Sequence, residues 1–98
     1  MYLMLVRYHV RPEKSEENHN LIEVVFRELH AKLPPDVRYL VLKLSDGVFC
    51  HLVEDRAKTI PDLEAFAAFR QGGELRWIDR SQRLEATVVG NYRMLVES

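Results

Sequence analysis

The strands written into this sequence are apolar on both faces, yet the chain has helix enough to cover only one of them. In residues 2–9 one side offers Leu3 and Leu5 and the other offers Met4, Val6 and Tyr8. Successive strand residues point to opposite sides, so a sheet with one wetted face should be polar at every second position. The doubling recurs in residues 37–44, 48–53 and 86–95. Burying an apolar side chain contributes roughly 1.5–3 kcal/mol, and a domain's whole net stability is about 5–15 kcal/mol. A bare apolar face is therefore a large cost, and a second copy of the chain is the simplest cover.

The elements come in the order β-α-β-β-α-β. The first strand, residues 2–10, stops before Pro12, and Ser15 is expected to cap a helix that runs to about Leu33 with Glu16 and Glu17 in its first turn. Ile22, Val25, Phe26, Leu29 and Leu33 form its buried stripe. Pro34 and Pro35 end it. Residues 37–44 and 48–54 flank Ser45-Asp46-Gly47, a hairpin signature. A two-residue loop would set Leu42 opposite His51, a three-residue loop would shift the register by one, and the sequence leaves both open. A second helix is expected from Ile60-Pro61, capped by Thr59 and ended by Gly72-Gly73. Residues 74–83 read as a short helix or an ordered loop, and residues 84–95 as the last strand. This order folds most simply as a ferredoxin-like α+β domain: a four-stranded antiparallel sheet with both helices on one face, dimerising through the other into an α/β barrel.

Ninety-eight residues make one domain, 1–98. With 14 basic and 15 acidic side chains, the chain lacks the positive field that holds a phosphate backbone, so nucleic acid is not an expected partner. The apolar start is cut at Arg7, too short for a signal-peptide core or a membrane span, which points to a cytoplasmic protein with no membrane partner. Cys50 is the single cysteine, read as a small buried hydrophobe, and no metal site is expected.

Polar residues that interrupt apolar strands are the candidates for chemistry. His9, His51 and Arg7 do so, and a buried imidazole needs a hydrogen-bond partner. Thr87, Asn91 and Arg93 fall on one side of the last run; sharing a face with Arg7 and His51, they would line a pocket, whereas pairing across two sheets they would specify the dimer. Trp77 either closes a pocket mouth or pins its loop to the core. Arg70, Arg76, Arg80 and Arg83, interspersed with Glu74, Asp79 and Glu85, read as a solvated mixed-charge face. No nucleophile elbow and no glycine-rich phosphate loop is present.

Two segments carry a resemblance. Leu5-Val6-Arg7-Tyr8-His9-Val10-Arg11-Pro12-Glu13-Lys14, and residues 49–54 followed by Asp62-Leu63-Glu64-Ala65-Phe66, resemble the dimeric α/β-barrel superfamily and within it the antibiotic biosynthesis monooxygenase-like proteins. The resemblance implies cofactor-independent oxygenation of a phenolic ring system, haem degradation or lactone isomerisation, the oxygenases using pocket Asn, Trp and Tyr side chains; Asn91, Trp77 and Tyr8 supply those types here. It departs at Ala65-Phe66-Ala67-Ala68-Phe69, where phenylalanine replaces the histidine often found in that helix, so haem ligation and a cofactor are not expected. The tryptophan often found after the third strand is also missing from Val53-Glu54-Asp55-Arg56.

The expected function is cofactor-independent oxidation of a small aromatic or polyketide-like ligand by a homodimer. His51 or His9 would take the ligand's proton, Arg7 and Asn91 would stabilise its oxyanion, and Trp77 and Tyr8 would contact the ring. The alternative is a non-catalytic dimeric ligand-binding or stress-associated barrel in which these polar groups satisfy one another.

Overall fold

The computed structural model describes residues 3–95; Tyr2, expected to open the first strand, lies outside them. Four strands, β1 (Leu3–His9), β2 (Arg38–Lys43), β3 (Val48–Glu54) and β4 (Gln82–Ala86), form one sheet in the order β2-β3-β1-β4. Every pairing is antiparallel. The long helix α1 (Ser15–Lys32) and the short α2 (Glu64–Arg70) and α3 (Gly73–Arg76) complete the ferredoxin-like arrangement.

The hairpin has the three-residue loop. Leu44 N–H donates to Val48 O at 2.8 Å and Gly47 takes φ +89°, a left-handed conformation open to glycine. Val41 therefore faces His51, and Leu40 faces Leu52. This register puts Tyr8, Phe49 and His51 on the face that packs against Ile22, Val25 and Leu29 of α1 and Phe69 of α2. The opposite face carries a row of four leucines, one per strand: Leu40, Leu52, Leu5 and Leu84. Leu40 and Leu84 are 41% and 56% exposed. Both faces are thus apolar, and the described chain covers one. Cys50, expected to be buried, is half-buried on the open side, since its partners in the sheet are Leu42 and Arg7.

Five local expectations are corrected. Ser15 does not cap α1: a 3-10 turn, Pro12–Lys14, leads into the helix, and no side chain caps it. Leu33 leaves the buried stripe because it ends α1 in the left-handed region, φ 50°, with its side chain 72% exposed. The second helix does not run from Ile60; residues Ile60–Asp62 make a 3-10 turn and Leu63 is extended. Asp55, rather than Thr59, accepts the free N–H groups there, from Thr59 at 2.9 Å and Ile60 at 2.8 Å. Glu28 of α1 accepts the Ala65 N–H at 2.9 Å, tying α2 to α1. Finally, β4 stops at Ala86, and residues 87–95 continue without strand pairing, with Val89, Tyr92 and Met94 81–99% exposed.

Candidate functional site

A buried polar cluster lies between the sheet and the helices, surrounded by aromatic rings. At its centre is His51, 5% exposed, with a tyrosine hydroxyl on each ring nitrogen: Tyr8 at 2.8 Å from Nε2 and Tyr39 at 2.6 Å from Nδ1. Strand alternation explains the convergence. Tyr8 lies two residues beyond Val6, the partner of His51 on β1, and Tyr39 lies two residues before Val41, its partner on β2.

Asn18 joins this group from the first half of α1. It is fully buried, and Nδ2 donates to the Tyr8 oxygen at 3.1 Å. Its Oδ1 accepts from Arg76 Nε and Trp77 Nε1, each at 3.1 Å. Arg76, 3% exposed, also donates to the carbonyls of Gln71, at 3.0 Å, and Phe69. Its guanidinium lies 5.4 Å from the Phe69 ring centre and 5.8 Å from that of Trp77. A guanidinium stays charged, and here carbonyls and ring faces receive it. Tyr8 is flanked by Trp77 at 4.6 Å and His51 at 5.3 Å between ring centres. No buried side-chain nitrogen or oxygen among the described residues lacks a partner.

Burial sets the protonation states. It lowers the His51 pKa from 6.5 to about 4, so the imidazole is neutral at physiological pH. It raises the pKa of both phenols: for Tyr8 it outweighs the Asn18 hydrogen bond and the Arg76 charge, and for Tyr39 the neighbouring Tyr8 adds to it. Both keep their protons.

The structure brings together three of the six expected site residues: His51, Tyr8 and Trp77. Arg7 is exposed on the open sheet face, because its partners are Cys50 and Gln82 while His51 pairs with Val6 on the helix face. Arg7 and His51 therefore do not share a face. His9 lies on the same side of β1 as Arg7, at the mouth of the hairpin, where a side chain at Gly47 would meet its ring. Asn91 lies beyond β4 and closes a local ring with Leu95, two hydrogen bonds of 2.9 Å each. Thr87 and Arg93 follow the end of β4, so strand alternation no longer places them. Arg76, expected on a solvated face, is buried.

Sequence reasoning missed Asn18, Tyr39, Phe69 and Arg76 as members of the cluster around His51. Asn18 had a signal: it continues the spacing of Ile22, Val25 and Leu29, so an amide stands on the buried stripe. Tyr39 needed the hairpin register. Nothing local marked Arg76. Its burial follows from α3, where the ring of Trp77 packs so closely on Gly73 that a Cβ there would come within 2.9 Å of it, and from the bonds Arg11 N–H to Arg76 O and Ile78 N–H to His9 O, each 2.8 Å. These strap the segment to the end of β1.

The sequence matches no protein-family model and no curated protein. Solved structures do match. One from Bacteroides thetaiotaomicron, provisionally described as an antibiotic biosynthesis monooxygenase, aligns over 99% of this chain and 95% of its own with TM-score 0.75 and 18% identity. The fold is that of the antibiotic biosynthesis monooxygenase-like proteins. A second such structure, from Caulobacter crescentus with the same provisional description, has TM-score 0.71 and 17% identity over 91% of this chain and 90% of that one. A protein of unknown function from Nitrosomonas europaea shares the fold at TM-score 0.69 and 9% identity, covering 97% of this chain and 95% of its own. At these identities the monooxygenase-like likeness speaks for the fold alone.

A haem, one group found on this fold, does not suit the residues present. The α2 position where an imidazole would be wanted is Phe69, whose ring packs against Tyr8, His51 and Trp77. Among the described residues no group of three or more His, Cys, Asp or Glu side chains could hold a metal ion, and no helix is long and apolar enough to cross a membrane.

Proposed function

We propose that this chain is a homodimeric antibiotic biosynthesis monooxygenase-like protein that binds a small aromatic or polyketide-like molecule and oxidises it with O2 without a bound cofactor. The observation that carries this reading is a neutral imidazole between two protonated phenols inside an aromatic cage. His51 with the hydroxyls of Tyr8 and Tyr39 is the polar end that holds a ligand oxygen as the ligand ionises, and Trp77 and Phe69 are the apolar wall. Arg7, His9 and Asn91, on other surfaces, have no part in it. An anthrone would lose a proton to solvent to become its anion, O2 would add at the ionised carbon to give a peroxide anion that takes a proton back to form the hydroperoxide, and loss of water would leave the quinone. The test is oxygen uptake with anthrone and quinol substrates. His51→Ala should lower the rate at least tenfold; equal rates would remove the assignment.

The leucine row supports the dimer. Two open faces packed together would bury Leu5, Leu40, Leu52 and Leu84 of each copy and close a barrel. A second reading has its own support. Since every buried polar side chain among the described residues is already partnered, the cluster is complete without a ligand, as expected of a non-catalytic binding or stress-associated barrel. On that reading His51→Ala lowers thermal stability and leaves oxygen uptake at background in both proteins.

A further inference from the structure

A groove of about 650 Å³ opens where α3 and the segment after it meet the end of β1, lined by Arg11, Arg70, Glu74, Trp77, Asp79 and Arg80 among others. Of the residues in the buried cluster it shares only Trp77. The backbone here is held firmly: Arg11 N–H donates to Arg76 O, Ile78 N–H donates to His9 O, and Val10 and Trp77 pair as an isolated antiparallel bridge. The indole N–H of Trp77 is committed to Asn18. What the groove receives from this side chain is therefore the carbon surface of its ring, continued by Ile78, which is 49% exposed.

The charges around this groove do not cancel. Arg11, Arg70 and Arg80 are exposed, and none of the three guanidiniums has an ion-pair or hydrogen-bond partner among the described residues. Arg76, buried in α3, adds a fourth cation, and its partners are two carbonyls and an amide oxygen, none of them negative. Against these four stand two carboxylates, Glu74 and Asp79, and Asp79 is already turned to the backbone, accepting the His9 N–H at 3.3 Å. The excess is two positive charges. Like charges gathered around one groove repel one another, and a bound anion relieves that repulsion.

We propose that this groove binds a small phosphate monoester carrying a planar ring, of which a nucleoside monophosphate is the type. A phosphate monoester carries close to two negative charges at neutral pH, the number the groove leaves uncompensated. Guanidinium forks match phosphate oxygens two bonds at a time, and Arg11, Arg70 and Arg80 are free to present them. Trp77 and Ile78 give the planar ring a surface to lie on. Glu74, on the same rim, accepts an N–H or O–H of the ring or sugar and, with Asp79, repels a longer run of phosphates. The site is separate from the oxidation proposed above, since it uses neither the imidazole nor the hydroxyls of the buried cluster.

Trp77 is the single tryptophan of the chain, so its fluorescence reports on the groove without a label. Adenosine 5′-monophosphate, titrated in phosphate-free buffer at low ionic strength, should quench it saturably and bind at least tenfold more tightly than adenosine, which lacks the charge. Inorganic phosphate, which lacks the ring, should displace the nucleotide only at tenfold higher concentration or more. The double variant Arg70→Gln/Arg80→Gln, altered at two exposed positions, should keep the wild-type thermal stability and lose at least tenfold in nucleotide affinity. A rise in salt that shortens the screening length should weaken the nucleotide several-fold in the wild-type protein and leave adenosine unchanged, a readout that needs no variant. No saturable quenching, equal binding of nucleotide and nucleoside, equal binding of nucleotide and inorganic phosphate, or undiminished affinity in the double variant would each overturn the proposal.

Discussion

Acidification should weaken this fold through His51 before its carboxylates are titrated. Burial holds the folded imidazole at about 4 against the usual 6.5, so from pH 7 downward the unfolded chain takes up a proton that the native state refuses. Stability is then complete above the unfolded value, falls as the pH drops from 6.5 to about 4, and levels below it. At about 1.36 kcal/mol per pH unit, the gap corresponds to about 3 kcal/mol, of which roughly 2 kcal/mol is gone by pH 5. Against a net stability of about 5–15 kcal/mol this is a large fraction. Urea denaturation of wild type and His51→Asn at pH 7, 6, 5 and 4.5, at one protein concentration, isolates the effect because the carboxylates are common to both. Glu28, whose pKa is lowered by its hydrogen bonds to Lys32 and the Ala65 N–H, contributes in both proteins. The stability gap between the two should narrow by about 2 kcal/mol between pH 7 and 5. A gap that stays constant over that range, or a His51 ring that titrates near 6.5 by NMR, would refute the burial argument.

Three further outcomes follow from the packing. Asn18→Ala removes the acceptor for Arg76 Nε and Trp77 Nε1 and the donor to Tyr8, and should cost about 3 kcal/mol in chemical denaturation, since it strands a buried charge as well as an indole N–H. Gly73→Ala drives a methyl group into the Trp77 ring; a loss of about 1–3 kcal/mol should come with a red shift of the tryptophan fluorescence as the ring is displaced. Leu84→Asp places a charge in the leucine row at a site already 56% exposed in one chain. For the proposed homodimer, it should raise the dissociation constant tenfold or more by light scattering and leave the helical circular dichroism unchanged.

The polar cluster shows how far a linear reading reaches. His51 stood out because an imidazole interrupted an apolar strand, and Tyr8 shares its face by simple alternation once the two strands are paired. Tyr39 did not, since a two-residue hairpin loop and a three-residue one place it on opposite faces relative to His51. Arg7 was grouped with His51 for the same reason: both interrupt strands, but only pairing says which interruptions meet. Arg76 was read as solvated because charged neighbours surround it in sequence, whereas in space it points inward to carbonyls and rings. Asn91 was assigned by extending strand alternation past Ala86, where pairing to β1 has ended and the alternation no longer has a sheet to refer to.

Helix spacing, strand alternation and the turn residues are local properties, and from them the sequence by itself determined the element order, the helix-covered sheet and the apolar character of both its faces. What tertiary structure alone decided was the hairpin register, the burial of Arg76 by α3, and the meeting of residues 8, 18, 39, 51, 76 and 77 in one hydrogen-bonded chain. Those depend on contacts between segments tens of residues apart, whose geometry is set by packing and by the need to partner every buried polar atom, and no local pattern encodes it.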